Sequence, residues 1–184
     1  MQPYAKPNLD IAGREACHVE SMGHSVAFSD ASMERFRHLL TRYPNKQAAL
    51  LPTLWMAQQE FGWISTEVIE YVSELLELPP SHVYGVVSFY TMYYRKPMGK
   101  YHIQLCTNLS CMLMGGSTVL DALQEKLGIG LGETTADGMF SLDEVECLAA
   151  CEMAPCCQMN DEYHGPLTPE SVGRFVDELR ARGK

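Results

Sequence analysis

The chain lacks any long apolar run. No stretch approaches the roughly 20 consecutive apolar residues that a membrane-spanning helix needs. The start of the chain, Met-Gln-Pro-Tyr-Ala-Lys-Pro-Asn, also lacks the basic residues and apolar stretch that are typical of a secretory signal. We therefore expect a cytoplasmic protein that reaches a membrane, if at all, as a peripheral part of a larger complex.

An excess of basic residues is also absent. The chain has 14 Lys and Arg residues against 23 Asp and Glu residues, which gives a formal net charge of −9. Nucleic-acid phosphates and anionic lipids both attract basic surfaces. This charge balance argues against nucleic-acid binding and against direct adsorption to an anionic membrane.

The common enzyme motifs are missing as well. The sequence has no Ser-His-Asp arrangement, no phosphate-binding loop and no dinucleotide fingerprint. The glycines of residues 128–132 do not follow a predicted strand, so this segment is interpreted as a loop. We expect no catalytic residues and no nucleotide site in this chain.

Cysteine, by contrast, is abundant, with seven residues in a chain of 184. Four of them form two short-range pairs, Cys106 with Cys111 and Cys147 with Cys151. Cytosolic thiols are more often ligands than disulfides, and an odd number of cysteines cannot pair completely. Neither pair has the two intervening residues of a thioredoxin-type dithiol or of the most diagnostic zinc pairs.

The four intervening residues of the first pair are the spacing that opens the plant-type [2Fe–2S] pattern. An iron–sulfur site is therefore favoured, in which Cys106 and Cys111 bind one iron and Cys147 and Cys151 bind the other. A zinc site and disulfides remain open alternatives. The adjacent Cys156 and Cys157 are predicted to be structural or incidental thiols, because neighbouring cysteines rarely both point to one metal. Alternative ligation of the metal by one of them is the second interpretation.

The apolar pattern changes twice along the chain. Residues 1–30 show no periodicity and are predicted to form a flexible N-terminal tail. Residues 31–95 carry apolar side chains at helical spacing, which predicts a bundle of four short helices, the first of them capped by Ser32. Residues 96–184 predict the order β-α-β-β-α, with strands at 101–105, 140–145 and 157–160. The predicted fold class is thus α/β, a helical bundle followed by a small α/β domain, whose core resembles a thioredoxin-like layout.

Several segments between about Gln47 and Leu179 resemble, in order, a known family. They include the segments 59–64, 83–90, 97–103 and 145–155, and both cysteine pairs. The chain resembles the thioredoxin-like [2Fe–2S] family, whose members are the E subunits of NADH-quinone oxidoreductase (respiratory complex I). In that family a helical bundle precedes a thioredoxin-like domain.

The resemblance implies an electron-transfer subunit with one [2Fe–2S] cluster. The family's four ligands fall on Cys106, Cys111, Cys147 and Cys151. The implied partner is the flavoprotein of the same complex, its F subunit, which binds NADH and FMN and carries the catalytic site, and the helical segment 83–90 is expected to contribute to the interface. Related modules occur beside NAD-dependent hydrogenases and formate dehydrogenases, so a diaphorase module of that kind is an alternative. A zinc-stapled interaction module without a redox role is a further one.

Two departures from the family pattern lie next to the predicted ligands. The family often has Gly in the second cysteine loop, where this chain has Ala149 and Ala150. After Ala-Pro the family commonly has an aliphatic residue or Met, where this chain has Cys156 and Cys157. Neither departure removes a ligand, but both change the surroundings of the predicted cluster.

Overall fold

The chain divides into two compact units, with the boundary between Pro97 and Met98. The computed structural model describes residues 19–183. The predicted boundary lies two residues earlier, between residues 95 and 96. Residues 1–18, which make up most of the predicted N-terminal tail, lie outside the described residues.

In the part of the first unit that the structure describes, residues 19–97, there are four α-helices. They are α1 (Asp30–Leu40), α2 (Leu50–Phe61), α3 (Thr66–Leu76) and α4 (Pro80–Phe89). Each helix places an apolar stripe in one shared core, because apolar residues three or four apart lie on the same helix face. The fully or nearly fully buried members of that core include Phe36, Leu54, Val68, Val72, Val83 and Val87.

Side-chain caps set the starts of two helices in this unit, α1 and α3. Ser65 Oγ accepts the N–H of Val68 at 3.2 Å and so caps the start of α3. The cap of α1 is Ser29 rather than the predicted Ser32, because Ser29 Oγ accepts the Ser32 N–H at 3.3 Å. The helix therefore begins three residues before the position that the sequence pattern indicated.

The structure differs from the predicted flexible tail over residues 19–29, which pack against the helices. The N–H groups of Met22 and Gly23 donate to the Glu67 carboxylate at 2.9 and 3.1 Å. Phe28 is buried, and its ring stacks on that of Phe61 with centroids 5.7 Å apart. A segment without periodicity can be fixed by one carboxylate and one aromatic anchor, and this is why the pattern missed it.

The second unit is built on a five-stranded sheet in the order β2-β3-β1-β4-β5. The strands are β1 (Tyr101–Cys106), β2 (Glu133–Thr134), β3 (Phe140–Val145), β4 (Cys157–Met159) and β5 (Glu162–His164). β1 and β3 run parallel, whereas β4 runs antiparallel to β1. The sequence pattern misses β2 and β5, because strands of two and three residues are too short to show a period.

Three helices complete this unit: α5 (Leu109–Leu113), α6 (Gly116–Leu127) and α7 (Pro169–Gly183). α6 lies between β1 and β3 in the chain, as a parallel pair requires a crossover connection. α6 and α7 bury their apolar faces in one core with the sheet, whose members include Ile103, Leu105, Val119, Leu123, Leu142, Val172 and Val176. The predicted α/β fold class is confirmed. Among residues 19–183, no helix is both long and apolar enough to cross a membrane.

Candidate metal centre

The two cysteine loops leave the sheet at the same edge. Because β1 and β3 are parallel neighbours, their carboxyl ends lie side by side, with Cys106 opposite Val145. The backbone N–H of Thr107 donates to the Val145 carbonyl at 3.1 Å, which extends the pairing by one step. Cys147 follows two residues later. The topology thus brings together two cysteine pairs that are far apart in the sequence.

Contacts beyond the strands join the two loops. Asn108 Nδ2 donates to the Glu146 carboxylate at 2.7 Å. The backbone N–H groups of Asn108 and Leu148 also donate to the sulfur of Cys106, so the second loop touches the first ligand candidate. The two loops therefore form one site.

The sulfur atoms lie at spacings that suit a shared metal. Cys147 Sγ and Cys151 Sγ are 4.0 Å apart. The Sγ atoms of Cys106, Cys111 and Cys156 all lie within 4.8 Å of one another. A metal–sulfur bond of about 2.3 Å at a tetrahedral centre places two ligand sulfurs about 3.8 Å apart. The donor set thus fits a thiolate-bound metal centre.

Cys111 lies in the short helix α5. Asn108 starts this short helix, since its Oδ1 accepts the Leu109 N–H at 2.8 Å. Gly116, the first residue of α6, passes so close behind that a Cβ there would lie 2.8 Å from the Cys111 carbonyl oxygen. Only glycine permits this approach, which fixes the backbone that carries the Cys111 thiol.

The two cysteine pairs differ in exposure. Cys106 and Cys111 are buried, whereas Cys147 and Cys151 are exposed. Burial raises the pKa of the Cys106 thiol, but hydrogen bonds from the N–H groups of Asn108 and Leu148 and from the neighbouring thiols together outweigh it, so the pKa lies below the ordinary value. For Cys111, burial and the neighbouring Cys106 sulfur hold the pKa above the ordinary value, although the Cys156 N–H donates to its sulfur. The backbone thus favours the Cys106 thiolate before any metal binds.

Cys156 also lines the site, which is the position that its second interpretation, as an alternative ligand, requires. Its Sγ lies 3.8 Å from that of Cys111, and the residue is 1% exposed. Burial, followed by the contact with Cys111, raises the pKa of the Cys156 thiol to about 12. Cys157 points the other way, into the core of the sheet, where burial raises its pKa to about 12. The prediction that both are structural thiols thus describes the surroundings of Cys157 but leaves Cys156 out of the site it lines.

The loop between Cys147 and Cys151 contains a left-handed residue. Ala149 has φ of +58° and is exposed. L-residues other than glycine, asparagine and aspartate rarely adopt this conformation. In this loop the chain has alanine where the family that it resembles often has glycine.

Together the fold and the site define an α/β protein of thioredoxin-like topology with a cysteine-lined metal centre at the carboxyl edge of its parallel strands. The profile of the thioredoxin-like [2Fe–2S] ferredoxin family matches residues 36–180. The chain belongs to this family.

Among its relatives are proteins named as E subunits of NADH-quinone oxidoreductase. The one from Rhizobium meliloti (strain 1021), the second E subunit by its name, is 43% identical over 148 residues, which cover 80% of this chain and 88% of that protein. The one from Rickettsia bellii (strain RML369-C) is 43% identical over 159 residues, covering 85% of this chain and 95% of that protein. The resemblance stated in the sequence analysis is thereby confirmed.

A solved structure shares the fold at lower identity. The air-oxidized NAD+-reducing [NiFe]-hydrogenase has a chain that matches with a TM-score of 0.64 and 20% identity. The match covers 72% of this chain and 23% of that chain. At this identity the likeness concerns the fold alone.

Proposed function

We propose that this chain is an electron-transfer subunit of an NADH-quinone oxidoreductase, with one [2Fe–2S] cluster held by Cys106, Cys111, Cys147 and Cys151. The observation that carries the proposal is the meeting of two thiol pairs at one sheet edge. Membership of a [2Fe–2S] family and relatives that are subunits of an oxidoreductase complex support it. This chain transfers single electrons through its cluster, and the reaction of NADH with FMN takes place on a partner subunit.

Each part of the site has a role in that function. A bound [2Fe–2S] cluster supplies one-electron chemistry. The four thiolates bind it, and the N–H groups of Asn108 and Leu148 donate to Cys106 and offset negative charge on that sulfur. Leu148, Met153 and Ala154 pack against the buried thiols and exclude water from that side. The exposed second pair leaves one side of the centre open to a redox partner.

An apolar surface lies next to the centre. It consists of Leu109, Met112, Leu113 and Met114, which are 69%, 56%, 78% and 65% exposed. We name it the α5 surface. Exposed apolar residues grouped in this way are typical of protein interfaces. We assign it to the NADH- and FMN-binding flavoprotein, the F subunit of such complexes, because a partner docked here sits beside the ligand loop.

The helical unit offers a second apolar group. Within the expected interface segment 83–90, Val83 and Val87 are buried in the core of the unit. Phe89 is 77% exposed and Tyr90 39%, so the C-terminal end of α4 is the part available to a partner. Through such partners we expect the chain to be cytoplasmic and peripheral to the inner membrane.

The cluster assignment is tested with two variants of the full chain, each of which replaces one cysteine. Cys151→Ser should lose the iron and sulfide that the wild-type protein carries after anaerobic purification, and with them the electron paramagnetic resonance signal of the reduced state. Cys157→Ala is the matched control, because its thiol lies in the apolar core and should be dispensable for the cluster. A colourless wild-type protein with stoichiometric zinc refutes the proposal in favour of a zinc-stapled module.

The partner assignment is tested by copurification. Leu113→Asp places a charge in the α5 surface and should reduce recovery of the flavoprotein partner, while the iron content stays unchanged. Leu131→Asp, also in the second unit but outside the α5 surface, is the control, since Leu131 is 38% exposed. Equal recovery with both variants contradicts the assignment. Copurification of a hydrogenase or molybdenum protein instead establishes the diaphorase alternative.

A further inference from the structure

Three buried thiols meet on one side of the proposed cluster site, although one iron of a [2Fe–2S] cluster takes only two. They belong to Cys106, Cys111 and Cys156, whose Sγ atoms all lie within 4.8 Å of one another. Each of the three residues is at most 2% exposed. The proposed function uses the first two and leaves the third without a role.

The backbone fixes the position of Cys156. The N–H of Cys106 donates to the Cys156 carbonyl at 3.1 Å, which places Cys156 against the end of β1. In the register of these strands Leu105 lies opposite Cys157, and both point into the core of the sheet. Strand alternation therefore turns Cys106 and Cys156 to the other face together. Their shared side is a consequence of the sheet register.

The loop beside Cys156 is also tightly packed. A Cβ on Gly165 would lie 3.1 Å from the Cβ of Cys156 and 2.3 Å from the Met153 carbonyl oxygen. The Cys156 N–H donates to the Cys111 sulfur as well. Cys156 is therefore held in contact with Cys111 by backbone on both sides.

Cys156 lies within reach of a metal bound by Cys106. Its Sγ is 3.8 Å from that of Cys111, so it occupies nearly the same place, and it is within 4.8 Å of that of Cys106. Two thiolates on one tetrahedral metal with bonds of about 2.3 Å lie about 3.8 Å apart, so a small shift brings Cys156 and Cys106 to that spacing. We propose that Cys156 is an alternative ligand, able to take the place of Cys111 on the iron that Cys106 binds. This inference rests on the proposed function. The exchange involves no oxidation: an iron–sulfur bond to Cys156 forms where the bond to Cys111 is missing, and the thiol proton passes to solvent.

The test compares single and double variants of the full chain after anaerobic purification. Cys111→Ala should keep a [2Fe–2S] cluster, with a shifted electron paramagnetic resonance spectrum in the reduced state. Cys111→Ala combined with Cys156→Ala should lose the iron and sulfide. Cys111→Ala combined with Cys157→Ala is the matched control and should retain them. Because all three proteins share the same change at 111, a folding defect at that position affects them equally.

Two outcomes overturn the inference. Loss of the cluster in Cys111→Ala, with a far-ultraviolet circular dichroism spectrum like that of the wild type, shows that Cys156 does not bind iron. Loss in Cys156→Ala alone shows that Cys156 is a resident ligand rather than an alternative one. Both outcomes leave the electron-transfer role standing as long as the wild-type protein carries its cluster, although the second changes the set of ligands that the proposed function names. A wild-type protein without a cluster instead refutes the proposed function itself.

Discussion

The left-handed Ala149 provides a sharp test of how the second ligand loop is built. Its φ of +58° brings the Cβ of an L-residue close to the following carbonyl oxygen. Glycine has no Cβ and adopts this conformation without that cost. The change Ala149→Gly should therefore stabilise the protein, although glycine is destabilising at most positions.

The expected magnitude follows from two opposing terms. A left-handed conformation costs an L-residue about 1–2 kcal/mol. Glycine loses more backbone entropy on folding, at a cost of about 0.5–1 kcal/mol relative to alanine. Ala149 is exposed, so no buried contact is lost with its methyl group. We expect the free energy of unfolding to rise by about 0.5–1 kcal/mol.

The next residue in the chain is the control. Ala150 has φ of −109° and is 4% exposed, packed beside Cys106 and Cys111. Ala150→Gly relieves no strain, removes a buried methyl group and adds backbone entropy to the unfolded state. It should lower the free energy of unfolding by about 1 kcal/mol or more.

Urea unfolding of the two variants and the wild type measures these changes. Far-ultraviolet circular dichroism is the suitable probe, because both tryptophans, Trp55 and Trp63, lie in the first unit and report poorly on this loop. The midpoints should move in opposite directions for the two neighbouring glycines. A loss of stability in Ala149→Gly equal to that in Ala150→Gly refutes the reasoning, since it means that the conformation at 149 carries no strain.

Two other predictions concern the thiols and the loop contact. Burial raises the pKa of Cys157 to about 12 from an ordinary value of 9.0, so the unfolded chain ionises first. The neutral thiol's contribution to the free energy of unfolding is fully present below pH 9. It is lost as the pH rises toward 12, by up to about 1.4 kcal/mol per pH unit. Cys157→Ala should therefore flatten the fall of unfolding free energy between pH 9 and 11, and an unchanged slope contradicts the burial argument. Asn108→Ala removes the hydrogen bond to Glu146 and the one that Asn108 Oδ1 accepts from the Leu109 N–H, and it should speed cluster loss to a chelator about threefold. Glu146→Gln keeps an acceptor there and should change the rate less.

The sequence predicted the parts of the site that depend on local order. Cys106 comes at the end of an alternating apolar run, and the segment before Cys147 shows strand character as well. Given two such strands and a helix between them, parallel pairing brings their ends together. The segment 106–151 therefore contains enough information to place both cysteine pairs at one edge. The α/β fold class follows from the same pattern.

The remaining features depend on contacts that no short window contains. α5 has five residues, too few for a helical period, so the apolar pattern does not predict this helix at Cys111. Phe28 and Glu67 fix residues 19–29 through partners that are more than thirty positions away in the chain. The sequence does not indicate the left-handed conformation of Ala149, because alanine is not one of the residues that are typical of turns.

Cys156 shows which piece of long-range information was missing. β4 enters the sheet beside β1 and runs antiparallel to it, so it begins at the edge where β1 and β3 end. The residue just before β4 must then share that edge with the first ligand pair. Sequence alone places Cys156 and Cys157 next to each other but does not say which strand lies alongside or in what register. Once Leu105 is opposite Cys157, the alternation of side chains along the strand directs Cys157 into the core. The same alternation directs Cys156 toward Cys106 and Cys111. A shift of the register by one residue would exchange their roles, so the third thiol at the centre is a property of the strand pairing and not of the double-cysteine motif.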